Sequence, residues 1–184
     1  MSRWPERRTV RLDRSGVLRA VDVLRRTTGL RVEIAGLARP RPGRCVGILR
    51  DLEFAFAESL PWGRVALHGV SIRMAEYAGE ADGWLSPDLA VCPRGFLVEE
   101  STLLRPQDVD IAVQVTDAPA PLGRYAGAGV PAVVLVDPVR CRWAVYTHPG
   151  GGSYRERDAG AFGDVMVLPV PFGLRVRTDR WRPG

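Results

Sequence analysis

Three residues at predicted strand positions carry the oxygen chemistry that this 184-residue chain could use: Glu33, Asp88 and Gln114. Carboxylates at the ends of neighbouring strands can converge on a divalent cation, which takes hard oxygen ligands. Such an ion polarises a phosphoryl oxygen and makes an attacking water more acidic. Spacing alone leaves a plainer reading open for each residue. Asp88, behind Pro87, can cap a turn, and Glu33 can be a solvated strand carboxylate. Downstream, Arg124 and Tyr125 add a fixed cation and a phenol, and Asp117 adds a further carboxylate.

Other chemistries are excluded by what is missing. All 26 basic residues are arginine, so the chain has neither a Schiff-base lysine nor a phosphate-loop lysine. Arginine keeps its proton and does not serve as a base. The run Gly150-Gly151-Gly152-Ser153 lacks the lysine and following helix of a phosphate loop and reads as a turn. There is no Gly-x-Ser-x-Gly elbow. His68 and His148 match no metal spacing and read as strand or surface histidines. Cys45, Cys92 and Cys141 are odd in number without a Cys-x-x-Cys pair, so buried free thiols are expected rather than disulfides or zinc.

Charge is uneven along the chain. The formal net charge is +5, with +6 in residues 1–31 and +3 in residues 175–184, which leaves −4 between them. A basic end can meet a phosphate backbone. It can equally be a solvated helix face and a tail, since no aromatics are interleaved for base stacking. No apolar run approaches the ~18 residues of a membrane span. The basic N-terminus has no apolar stretch behind it and does not read as a secretory signal. The expectation is a cytoplasmic protein without membrane contact.

These residues must be positioned by a small set of elements. Ser15 caps a basic helix over about 15–28, ended by Gly29. Leu30, Val32 and Ile34 alternate with polar residues as a strand that carries Glu33. Residues 38–44 read as a loop. Ile48, Leu49, Leu52, Phe56 and Leu60 fall at helical spacing, and Pro61 closes that helix. Strands follow at 64–70, 71–77, 89–92 and 109–115, with 94–108 polar and irregular. The segment from Ala118 to Gly129 holds no more than about two helical turns. The continuous apolar run 132–136 reads as a central strand buried on both faces. A hairpin around Pro149–Gly152 and two short strands near Val165 and Leu174 complete the chain. The order predicts one α+β domain over 1–184, with a mixed central sheet flanked by a few helices.

Taken in order, these segments resemble the Uma-type restriction endonuclease family of the PD-(D/E)XK nuclease superfamily. LRVEIAG resembles its early strand with Glu then Gly, SPDLAV its Pro-Asp strand, and GRYAGAGVPAVVLVDP its Tyr-x-x-x-Gly-(Val/Ile)-Pro segment and Val-Asp-Pro ending. VYTHPGGGSY, GDVMVLPVPFGLRVRT and Trp181 resemble its last strands. The resemblance implies a restriction-endonuclease-like fold, with Asp88 as the metal-binding Asp and Glu33 as the auxiliary acid. Gln114 stands where the second metal-binding carboxylate belongs. The family's following lysine-bearing helix is shortened here, Pro-rich and without lysine.

Those departures weaken the implied metal site. An amide oxygen at position 114 is a neutral ligand, and magnesium dehydrates reluctantly for such sites. A missing ammonium removes an electrostatic stabiliser worth ~3 kcal/mol or more. Arg124 could replace its charge but not its proton exchange. Three functions stand at this point. The first is a nuclease-fold protein impaired in or lacking cleavage, without a cofactor, that binds DNA through its basic N-terminal segment. The second is a scaffold repurposed for small-molecule acid/base chemistry or binding by Asp88, Glu33 and Tyr125. The third is a still-active Mg²⁺-dependent DNA endonuclease. A homodimer is compatible with each.

Overall fold

The computed structural model describes residues 42–74, 83–99, 103–169 and 171–181, all within one compact unit, residues 41–184. The predicted basic helix at 15–28 and Glu33 lie outside the described residues.

Helix α1 (Gly43–Ser59) buries Cys45, Ile48, Leu49, Leu52 and Phe56, the stripe that the spacing predicts. It begins directly behind Pro42, two residues earlier than its apolar pattern suggests. It ends where Leu60, the residue before Pro61, turns extended at φ −68° and ψ 142°. A residue before proline is pushed out of the helical region by the proline ring.

Eleven strands follow among the described residues: β1 (Arg64–Leu67), β2 (Ser71–Arg73), β3 (Trp84–Leu85), β4 (Leu89–Pro93), β5 (Leu103–Leu104), β6 (Ile111–Val115), β7 (Ala132–Asp137), β8 (Arg142–Gly150), β9 (Ser153–Ala161), β10 (Val165–Val167) and β11 (Arg175–Arg177). A second, short helix, α2 (Leu122–Gly127), links β6 to β7. The main sheet has six strands in the order β1-β4-β6-β7-β8-β9. Only β6 and β7 pair in parallel within it. A parallel pair needs a crossover rather than a tight turn, and the α2 segment supplies it. A three-stranded sheet, β3-β2-β5, and a two-stranded ribbon, β10-β11, accompany the main sheet.

The central strands alternate between two cores. Leu89, Val91, Ile111, Val113 and Val115 pack with α1, Trp143, Phe162 and Trp181. Ala90, Cys92, Ala112 and Val133 pack on the other side with Tyr125 of α2 and Ile72 and Leu104 of the small sheet. Strand β7 is therefore covered on both faces, as its unbroken apolar run predicts.

The C-terminal segment is clamped to α1. The Arg44 guanidinium donates to the Trp181 carbonyl at 2.9 Å, and Trp181 Nε1 donates to Asp51 Oδ2 at 3.1 Å. The Trp181 ring meets Phe162 edge-on at 5.4 Å, and Arg44 lies 5.4 Å from the Phe162 centroid. Beside this clamp, buried Thr178 accepts from Gly163 N at 2.8 Å and donates to Asp164 O at 2.7 Å.

Among the described residues, β9 is the outer strand of the main sheet. Along it, Arg155 and Arg157 alternate with Glu156 and Asp158, so that each sheet face receives one sign. Its pairing with β8 requires a glycine at one point. A Cβ on Gly160 would lie 2.6 Å from Trp143 Cζ2 and 2.9 Å from Asp164 Oδ2. Trp143 is buried, so its ring has little room to retreat. Gly160→Ala is therefore expected to destabilise the fold by about 1–3 kcal/mol, read by urea unfolding.

Several regions depart from the sequence reading: β1 ends at Leu67 and β2 at Arg73, short of the predicted 70 and 77, and β3 is not predicted. The described residues 94–99 and 103–108 are more ordered than their polarity suggests, with 3₁₀ turns at Arg94–Val98 and Pro106–Asp108 around the two-residue β5. The hairpin strands β8 and β9 span nine residues each, longer than the alternation alone marks. No described helix is long and apolar enough to cross a membrane.

All three cysteines are free, with Cys45 and Cys92 buried and Cys141 half-buried. Burial, reinforced by the Asp110 carboxylate, pushes the Cys92 thiol up to about 11. A neutral, enclosed thiol reacts slowly. Alkylation of the folded protein, followed by mass spectrometry, is expected to label Cys141 first and Cys92 last.

Candidate functional site

The end of β4 brings Asp88 beside Gln114. Leu89 pairs with Val113 in the antiparallel β4–β6 ladder, so Asp88 meets β6 at its next residues. The Asp88 amide donates to the Val113 carbonyl at 2.8 Å. The carboxylate then turns back to the same strand: Asp88 Oδ2 accepts the Val115 amide at 2.7 Å. One carboxylate oxygen thus does the work of a main-chain acceptor where the ladder ends.

Gln114 is committed nearby. Its Nε2 donates to the Ser86 carbonyl at 3.2 Å, two residues before Asp88. A hydroxyl pair, Ser71 with Ser86 at 2.8 Å, ties this link to β2. The 86–88 segment is therefore held from both sheets by side chains as well as by main chain.

No spacing singles out His68, yet it touches the same link. Its Nδ1 lies 3.0 Å from the Asp88 carbonyl, and its Nε2 lies 3.3 Å from Glu53 on α1. No sequence signal connects residues 53, 68 and 88; the contact exists because β1 pairs with β4 beneath α1.

The other predicted site residues among those described go elsewhere. Tyr125 is fully buried in the second core with Ala112 and Val133. Arg124 lies against Gly83, and its guanidinium fills the space that a side chain there would need. Gly83 stands directly before β3, five residues before Asp88. Asp117 is exposed in the loop after β6. His148, at φ +57°, faces Glu156 across the β8–β9 hairpin at 3.2 Å. Asp137 caps the β7–β8 turn, accepting from Val139 N at 3.0 Å and Arg140 N at 2.8 Å. Against the cost of its burial, these bonds and the Arg140 guanidinium hold its carboxyl below the usual range.

Asp88 and Gln114, the described pair, do not by themselves match what magnesium asks of a site. Among the described residues, no group of three or more His, Cys, Asp or Glu side chains is placed to hold an ion. At the end of β4, one carboxylate has an oxygen engaged by a backbone amide. Its neighbour is a neutral amide whose N–H is turned to a carbonyl. Magnesium is usually held through one or two carboxylates in near-ideal octahedral geometry.

No protein-family model matches the chain, and no curated protein matches it. Among solved structures, the chain is similar to one described as "a putative nuclease belonging to DUF820" from Anabaena variabilis. The TM-score is 0.58 at 18% identity, covering 80% of this chain and 87% of that one. The fold is restriction-endonuclease-like. At that identity the likeness extends to the architecture, a mixed central sheet with few helices, and the residues of the site stand on their own geometry.

Proposed function

We propose that this chain is a nuclease-fold protein that has lost metal-dependent phosphodiester cleavage and keeps nucleic-acid binding. The observation that carries the reading is the Gln114 Nε2 bond to the Ser86 carbonyl, at 3.2 Å, beside an Asp88 carboxylate bonded to Val115 N at 2.7 Å. A second metal-binding carboxylate is replaced by a donor, and the remaining acid helps to close the sheet end. The likeness to the DUF820 protein supports the scaffold. The absence of any lysine supports the loss of the cationic group that such chemistry uses. Of the residues that small-molecule acid/base chemistry would draw on in the same place, Tyr125 is fully buried, which favours the first reading.

The test is incubation of plasmid and short duplex DNA with the full chain in Mg²⁺ or Mn²⁺, beside an Asp88→Ala preparation. The expected outcome is no cleavage beyond the Asp88→Ala control, together with a gel shift that weakens steeply with salt. Cleavage that disappears with Asp88 would show a working nuclease. No shift at low salt would remove the nucleic-acid half of the reading.

A further inference from the structure

We propose that the outer face of the β10–β11 ribbon is where this protein grips a nucleic-acid backbone, with Arg175 and Arg177 as the phosphate-binding pair. The inference rests on the nucleic-acid binding proposed above and adds its place on the fold.

The register builds this face from four residues. Val165 pairs with Arg177 and Val167 with Arg175, while Met166 and Val176, between them, point inward and are buried. Valine, not a carboxylate, stands across the ribbon from each arginine, so no cross-strand partner neutralises them. Among the described residues, Arg177 pairs with Asp179, through Nε at 3.2 Å and Nη2 at 3.4 Å. That pairing uses one edge of the guanidinium fork. It fixes the plane and leaves the Nη1 edge for a further acceptor.

The shape suits an extended anion. An open concavity of about 510 Å³ is lined by Gly163, Val165, Arg175, Arg177 and Asp179. Residues two apart on a strand lie about 7 Å apart on one face. Successive phosphates of a duplex strand rise ~3.4 Å along the axis and also wind around it, so neighbours stand farther apart than the rise alone. Arginine presents a fork that matches phosphate oxygens in pairs, so two arginines at this spacing fit neighbouring phosphates. No aromatic residue lines the concavity, so the surface reads backbone and not bases.

The ribbon is also held still. Thr178, fully buried directly after β11, bonds to both Gly163 and Asp164, and Trp181 is locked to Asp51 of α1. Arginines on a fixed strand give up less freedom on binding than arginines on a loose tail.

The experiment is a salt series of duplex binding by fluorescence anisotropy, with the full chain, an Arg175→Gln/Arg177→Gln variant and an Arg94→Gln control. Arg94 is exposed and starts the 3₁₀ turn after β4. All three proteins are expected to melt alike. The double variant is expected to bind more weakly, with the slope of log K against log salt shallower by about 1.8, near 0.9 for each phosphate no longer neutralised. The Arg94→Gln slope should match the parent. Unchanged affinity and slope in the double variant would overturn this surface and leave nucleic-acid binding intact. No binding by the parent chain would overturn both. If inorganic phosphate saturates the two arginines without displacing duplex, the ribbon is a small-anion site only and the inference falls.

Discussion

Trp181→Ala is expected to remove about 3–5 kcal/mol of stability, the largest loss from truncating any one side chain of the C-terminal clamp. Trp181 is 3% exposed and meets Phe162 edge-on at 5.4 Å. Alanine deletes the ring and leaves a cavity between α1 and the 3₁₀ turn at Asp179–Trp181. It also leaves Asp51 without the indole donor, while the bond from Arg44 to the residue-181 carbonyl survives any side-chain change. Trp181→Phe separates these effects. It keeps an aromatic ring against Phe162 and loses the Asp51 bond, so about 1–2 kcal/mol is expected. Equilibrium urea unfolding reads both variants. A loss in Trp181→Ala no larger than in Trp181→Phe would show that the hydrogen bond, not the buried ring, holds the clamp.

Gln114→Glu tests the site from the other direction. The substitution turns a donor facing the Ser86 carbonyl into an acceptor. Two acceptors then face each other next to the Asp88 carboxylate, and about 1–3 kcal/mol of stability should be lost at neutral pH. Both the carbonyl and the neighbouring carboxylate disfavour ionisation of the introduced carboxyl, so its folded pKa should rise above the unfolded value near 4.3. With that sign, the variant stands nearest the parent below pH ~4, where a protonated carboxyl can donate to the carbonyl. It falls behind as pH rises through the folded pKa. Adding Mg²⁺ or Mn²⁺ should reverse the loss, since two adjacent carboxylates can then share the ion. At a hundred times its dissociation constant an ion returns about 2.7 kcal/mol. The parent protein's melting temperature should respond far less to the same metal. Equal metal responses in the two proteins would show that position 114 does not limit ion binding. Cleavage is not expected to return with the carboxylate, because the variant still lacks a lysine beside it.

Much of the fold is legible in the sequence because its strongest elements are repetitive. The spacing of Ile48, Leu49, Leu52 and Phe56 determines α1, and an apolar run with no polar break places β7 at the sheet centre. What escapes is short or paired from afar. Strands β3 and β5 have two residues each, too few for any period to register. The neighbourhood of Asp88 and Gln114 is legible because Asp88 stands directly before β4 and Gln114 within β6, each beside a strand-like run. Their hydrogen bonds are not. Whether Asp88 presents its carboxylate to solvent or to Val115 N depends on how β4 runs out against β6. Likewise, nothing local to Arg124 says that its guanidinium will lie against Gly83, a residue 41 positions earlier and next to another sheet.

The charge order on β9 has a consequence for what this sheet can join. Two copies meeting edge to edge in antiparallel fashion are related by an axis normal to the sheet. That operation keeps each residue on its own face, so Arg155 and Arg157 can stand opposite only each other or themselves, and Glu156 and Asp158 likewise. Every register that overlaps these four residues squarely sets like charges side by side, and none offers an opposite-charge pair. The nine-residue edge, which could otherwise template a continuous intermolecular sheet, thus repels its own duplicate, whereas a strand of different sequence would meet no such pattern of like charges.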